Sequence, residues 1–124
     1  MRILLVDDSE TMLMLQKRAL NQIGYEDIAE AADGLQALTA FANDRPDLIV
    51  VDWKMPNMDG ITLVRKIREQ DETVPIIMCT SDSQATKVIH AIKAGVNDYI
   101  VKPFTPIGFK DKIKDVIEKT AAAT

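Results

Sequence analysis

Apolar residues gather in five short runs along the chain: Ile3–Val6, Ile28–Ala32, Leu48–Val51, Ile76–Thr80 and Tyr99–Val101. The first, third and fourth are nearly uninterrupted and several runs are rich in β-branched residues, the pattern of strands buried on both faces. Between the runs, apolar positions recur with the 3.6-residue period of a helix. Ser9 is placed to cap a helix carrying Met12, Leu15, Ala19 and Ile23, which Gly24 stops. Asp33-Gly34 opens a second helix with Leu35, Leu38, Phe41 and Ala42, and Asp59-Gly60 a third with Leu63, Val64 and Ile67. Ser83 begins a fourth, in which Ala85, Val88, Ile89 and Ile92 fit the period and Gly95 follows. Pro106 sits in the first turn of a fifth, with Phe109, Ile113, Val116 and Ile117. A strand followed by a helix, five times over, predicts a parallel sheet with helices on both faces, because parallel strands need right-handed crossovers. One open, doubly wound α/β domain is expected over 1–120, with a small, polar tail at 121–124 prone to fraying.

Composition narrows the class. A chain of 124 residues suits one domain. With 47% hydrophobic and 27% charged residues it has the balance of a globular core rather than of disorder. No apolar run approaches the roughly 20 residues of a membrane span, and Met1 stands directly before the first strand, leaving no room for a leader. The lone cysteine, Cys79, suits a reducing cytosol, so the expected location is cytoplasmic. A net charge of −4 argues against nucleic-acid binding. That charge is uneven. Residues 1–62 hold 5 Lys+Arg against 11 Asp+Glu, and residues 63–124 hold 10 against 8.

Placing the charges on the strands gives the asymmetry a meaning. In open α/β sheets function sits at the carboxyl ends of the strands. The first strand ends in Asp7-Asp8, the third in Asp52, the fourth in Thr80-Ser81 and the fifth in Lys102-Pro103, while the second ends in nothing comparable. Any one of these has an ordinary explanation as a turn former, a helix cap or a surface lysine. Their coincidence on one sheet edge is harder to explain that way. If the first and third strands are neighbours, three carboxylates share a small volume and need compensation. A hard divalent cation with oxygen ligands supplies it, and Mg²⁺ suits a site with few protein ligands. A carboxylate beside such a cation is a nucleophile for a phosphoryl group, with Lys102 offsetting charge on the transferring oxygens. Thr80 can donate to a phosphoryl oxygen, and the small Ser81 leaves it room. There is no G-x-x-x-x-G-K-[ST] loop and no G-x-G-x-x-G turn, so no sequence motif for holding a nucleotide is present.

These residues resemble the receiver domains of bacterial two-component response regulators, over essentially the whole chain. The resemblance rests on Asp7-Asp8, Asp52, the Met55-Pro56…Asp59-Gly60 loop, Thr80 and Lys102-Pro103. The segments Asp52–Gly60 and Val101–Thr105, with Tyr99, are most similar to single-domain chemotaxis regulators. The resemblance implies a flavodoxin-like (βα)5 fold with strand order 2-1-3-4-5, an order for which this family is a standard example. It implies Asp52 as phosphoacceptor from a sensor histidine kinase, here a chemotaxis kinase, and Mg²⁺ held by Asp7 or Asp8, Asp52 and the backbone carbonyl of Lys54. Lys102 would pair with the phosphoryl group through a cis Lys102-Pro103 bond. Thr80 would move towards that group and let Tyr99 turn inward, reshaping the face of the fourth helix, fifth strand and fifth helix. The protein would then be a switch rather than an enzyme, monomeric when unphosphorylated, with a flagellar motor switch protein as target.

Two positions depart from the chemotaxis pattern. Lys54 replaces an asparagine and Asp82 stands where glutamate is common; both flank the path of a water attacking an acyl phosphate, so both are expected to tune its lifetime. Other functions fit parts of the sequence. A phosphorelay intermediate, or a receiver cut from a longer regulator, would carry the same residues. A Mg²⁺-dependent phosphohydrolase would normally show a second aspartate where Lys54 stands. The string Asp7-x-Ser9-x-Thr11 is similar to adhesion-type metal sites, in a chain too short for those domains. Cys79 and the methionines read as packing residues, His90 as surface, and Lys110, Lys112, Lys114 and Lys119 as a solvated face able to dock an acidic segment.

Overall fold

The computed structural model describes residues 1–81 and 85–122. Strands β1 (Ile3–Val6), β2 (Ile28–Ala31), β3 (Leu48–Asp52), β4 (Ile76–Thr80) and β5 (Asp98–Val101) alternate with helices α1 (Glu10–Gln22), α2 (Gly34–Asn43), α3 (Gly60–Gln70), α4 (Ala85–Ala94) and α5 (Pro106–Ala122). All strand pairs are parallel and the order is β2-β1-β3-β4-β5. The doubly wound α/β fold expected from the alternation is therefore present, with the flavodoxin-like strand order that the resemblance implied. Strands β1, β3 and β4 are buried along their whole length. This is why their sequences are continuous apolar runs: each face of the sheet carries its own core. Alternate strand residues feed the two layers. Leu4, Val6, Ile49, Val51, Ile76 and Met78 pack with α2, α3 and α4 residues such as Phe41, Leu63 and Ala91. Ile3, Leu5, Leu48, Val50, Ile77 and Cys79 pack with α1 and α5 residues such as Leu20 and Phe109.

The helix starts follow the capping residues. Ser9, Asp33 and Asp59 each accept a hydrogen bond from the backbone amide three residues on, at Met12, Gln36 and Thr62. The inward faces are another matter for three helices. Helix α1 buries Leu13, Gln16, Ala19 and Leu20; of the expected Met12–Leu15–Ala19–Ile23 stripe, Ala19 is buried and Ile23 packs against the same core, while Leu15 is 46% exposed. Both stripes satisfy the i, i+3, i+4 spacing, and the polar Gln16 disguised the buried one. Helix α2 turns Leu35 outward and buries Ala37 and Phe41. Helix α4 buries Ala91, leaving Ile89 and Ile92 52% and 53% exposed. Helices α3 and α5 face inward as the pattern predicts. The proposed cap Ser83 lies outside the described residues. Helix α5 runs through residues 121 and 122 of the expected tail, and residues 123 and 124 lie outside the description.

No helix among the described residues is long and apolar enough to cross a membrane.

Candidate functional site

Register brings the acidic strand ends together. Val6 pairs with Val51 across β1 and β3, so Asp7 and Asp52, each next in line, emerge side by side. Asp8 follows immediately, exposed where Asp7 is buried. One carboxylate oxygen from each of Asp7, Asp8 and Asp52 lies within 4.8 Å of the others. On the other side of β3, Cys79 pairs with both Asp52 and Ile100, and Thr80 with Val101. Lys102 then follows β5, its amide donating to the carbonyl of Thr80. Its ammonium reaches across the sheet edge to Asp7 Oδ2 and Asp52 Oδ1, at 3.1 Å each. The Lys102-Pro103 bond is cis, as the resemblance implied.

The electrostatics of this cluster are those of a crowded acidic site held by one cation. Asp7 is 1% exposed and Asp52 9%. Burial, reinforced by the charge of Asp7, pushes Asp52 above the usual carboxylate range, and Lys102 opposes that rise without cancelling it. Burial by itself would lower the Lys102 ammonium. Its hydrogen bond to Asp7 and the attraction of Asp52 outweigh that and raise it, so the lysine is a firm cation. The amide of Ser9 donates to the other oxygen of Asp7, at 2.9 Å, fixing that carboxylate. Three carboxylates, one of them open to solvent, form a hard-oxygen donor set, which suits a small divalent cation rather than a soft one.

Neighbouring motifs acquire physical reasons. Gly60 donates its amide to the carbonyl of Trp53 at 2.8 Å. A Cβ there would stand 2.5 Å from the Asp52 carbonyl oxygen and 3.0 Å from the Trp53 Cα. Only glycine lets α3 start this close to the acceptor strand. Asn57 takes the left-handed conformation, φ 69°, and donates to Asp33. Strand alternation puts Asp7, Asp52 and Lys102 on the α1/α5 side of the sheet edge, and Thr80 and Tyr99 on the α3/α4 side. Thr80 is buried, 5% exposed. Tyr99 is half-buried against the α2/α3/α4 core. Lys54 is exposed in the loop after β3. Asp82, its expected counterpart, lies outside the described residues.

Other readings simplify. Ser9 uses its hydroxyl to cap α1, which accounts for the Asp7-x-Ser9-x-Thr11 string without a metal. Burial pushes the Cys79 thiol up to about 12, so it stays a neutral packing residue. Sequence reasoning missed Gln16. It is 1% exposed, its Nε2 donates to Cys79 Sγ at 3.7 Å, and its Oε1 has no partner among the described residues. A polar residue three positions from Leu13 and from Ala19 was the available signal. The bond between Arg65 Nη2 and His90 Nε2, 3.1 Å, was also missed, because α3 and α4 meet only in the folded chain.

The chain is similar to known proteins along most of its length. Residues 3–114 match the response regulator receiver domain family. A chemotaxis protein CheY homolog of Campylobacter jejuni is 44% identical over 120 residues, covering 94% of this chain and 92% of the relative. The chemotaxis protein CheY1 of Helicobacter pylori is 45% identical over 120 residues, covering 94% and 97%. Among solved structures, the chemotaxis response regulator CheY4 of Vibrio cholerae superposes with a TM-score of 0.87 at 32% identity, covering 93% of this chain and 97% of that one. A CheY-like receiver domain protein of Methanospirillum hungatei gives 0.91 at 30%, covering 99% and 98%.

Proposed function

This chain belongs to the response regulator receiver family, and from that premise we propose that it is a phosphorylation-activated chemotaxis switch with Asp52 as the phosphoacceptor. The observation that carries the reading is the Asp52 carboxylate, 9% exposed at the sheet edge with Lys102 Nζ at 3.1 Å and Asp7 beside it. An oxygen of Asp52 attacks the phosphorus of a phosphohistidine on a sensor kinase. The P–N bond breaks, the histidine leaves with a proton, and an acyl phosphate forms on Asp52. Asp7, Asp8 and Asp52, with the Lys54 carbonyl, suit Mg²⁺, which when bound supplies positive charge to the phosphoryl oxygens. Lys102, already held between the two carboxylates, is placed to pair with the incoming group.

Output then depends on crossing the sheet edge. Thr80, facing the α3/α4 side, turns its hydroxyl towards the new dianion, and the Tyr99 ring follows into the space it leaves. The face of α4, β5 and α5 is altered, and partners are bound differently in the two states. The chain works as one receiver domain over 1–120, a monomer before phosphorylation, in the cytoplasm. A chemotaxis histidine kinase lies upstream and a flagellar motor switch protein downstream. Its only chemistry is accepting the phosphoryl group and losing it to water, with Lys54 and Asp82 setting how long it stays.

Trp53, the single tryptophan, directly follows Asp52 and reports on this chemistry. Adding Mg²⁺ and then a small acyl-phosphate donor should change its emission saturably, with one phosphoryl group found by mass, and Asp52→Asn should abolish both. A folded protein that gains no phosphoryl group under these conditions refutes the reading. Steady turnover of a phosphate ester would point instead to a phosphohydrolase, and transfer onward to a histidine phosphotransfer protein to a relay.

A further inference from the structure

Helix α4 is the lightly held element of this fold. Of its side chains from Lys87 onward only Ala91 is buried, with Val88 and Ala94 half-buried and Ile89, His90 and Ile92 exposed. Beside the apolar packing of Ala91 and Ala94 against the core they share with α3, two arginines of α3 bond to this segment. Arg68 holds the C-terminal end: Nε and Nη2 donate to the Gly95 carbonyl at 3.0 and 2.8 Å, and Nη2 also to Asn97 Oδ1 at 3.0 Å. Arg65 holds the middle, through Nη2 to His90 Nε2 at 3.1 Å.

The two attachments differ in kind. A carbonyl accepts at any pH. A guanidinium has donors only, so His90 Nε2 must be the acceptor, and an imidazole accepts only when neutral, here with its proton on Nδ1. Protonation at Nε2 turns the acceptor into a donor and sets a cation against Arg65. Besides Arg65, the charged groups of the two helices among the described residues are Lys66, Arg68 and Glu69 on α3, with Asp71 at its end, and Lys87 and Lys93 on α4, with the Tyr99 phenol on the sheet face beneath.

We propose that the Arg65–His90 contact is a proton-controlled latch between α3 and α4: closed with a neutral imidazole, open when His90 is charged, with the Arg68 attachment left as the hinge. The latch itself does not depend on phosphorylation. Its effect on partner binding through α4 rests on the reading given above, so the two can fail separately.

The protein has one histidine and one tryptophan, which makes the test direct. The Lys87 ammonium, one turn before His90, stands 5.8 Å from the Trp53 ring centroid, so Trp53 emission senses α4. NMR and fluorescence would be followed between pH 5.5 and 8 on the full chain, in wild type and in an Asp52→Asn background that removes titration beside Trp53. The expected result is that the single imidazole signal, the backbone amides of α3 and α4, and Trp53 emission share one midpoint. Amide exchange in α4, corrected for its intrinsic pH dependence, should rise about two- to tenfold on the acid side. His90→Gln keeps an acceptor that does not titrate and should flatten emission and amide shifts. Arg65→Gln should flatten both while the imidazole still titrates. The proposal is overturned if the imidazole titrates while α4 and Trp53 stay unchanged, or if their transition survives in His90→Gln.

Discussion

Lys102 is the only cation bonded to both buried carboxylates of the site among the described residues, and replacing it with methionine isolates its contribution. Methionine keeps most of the aliphatic stem and removes the charge. At 3.1 Å from each partner and an effective dielectric of about 20, each attraction is worth about 5 kcal/mol before desolvation. Removing one partner from a buried ion pair costs about 3–5 kcal/mol net, and the 18% exposure of the Lys102 side chain places this site at the lower end, about 3 kcal/mol. For a 124-residue domain that lowers Tm by about 11 °C. The loss should depend on pH with a definite sign. Asp52 stands above its unfolded value, so the folded chain holds more protons, and stability falls as pH rises through the interval between the two values. Without Lys102 that interval widens upward, so Lys102→Met, compared with wild type at pH 7.5 and at pH 5, should be the less destabilised at the lower pH. It should also bind Mg²⁺ more tightly, because no ammonium then competes for Asp7 and Asp52. Thermal unfolding by circular dichroism, with EDTA or with millimolar Mg²⁺ at both pH values, measures all three effects. A variant as stable as wild type in EDTA at pH 7.5, one whose deficit is no smaller at pH 5, or one that gains nothing from Mg²⁺, would refute this account of the site.

Three further outcomes test other parts of the structure. Gly60→Ala should lower Tm by about 4–12 °C, since its Cβ would meet the Asp52 carbonyl and Trp53 Cα rather than a movable side chain; an unchanged melting curve would mean that α3 can retreat freely. Gln16→Leu should stabilise the protein by about 1–2 kcal/mol in urea unfolding, by removing a buried carboxamide oxygen that has no partner among the described residues. Lys54→Asn should speed loss of the phosphoryl group about two- to tenfold in a Trp53 decay assay. The exposed ammonium two residues after Asp52 would no longer hold and shield the acyl phosphate, and equal rates would remove Lys54 from any role in its lifetime.

Much of the molecule is legible in its sequence. The continuous runs Ile3–Val6, Leu48–Val51 and Ile76–Thr80 declare strands buried on both faces, because no one-sided strand carries apolar residues at every position. Ser9, Asp33 and Asp59 mark helix starts because free backbone amides there need an acceptor. The acidic and basic strand ends were visible as a set because a parallel sheet delivers all its carboxyl ends to one edge. Tertiary structure decided what local pattern leaves degenerate. Two overlapping stripes on α1 satisfy the same helical period, and only the sheet's placement chose the one containing Gln16 and turned Leu15 outward. The same holds for Ile89 and Ile92 on α4, which are exposed while the short Ala91 is buried. Distance in sequence hid the rest. Lys102 bonding to Asp7 across 95 residues, and Arg65 to His90 across 25, are set by strand register and helix packing, which no local spacing encodes.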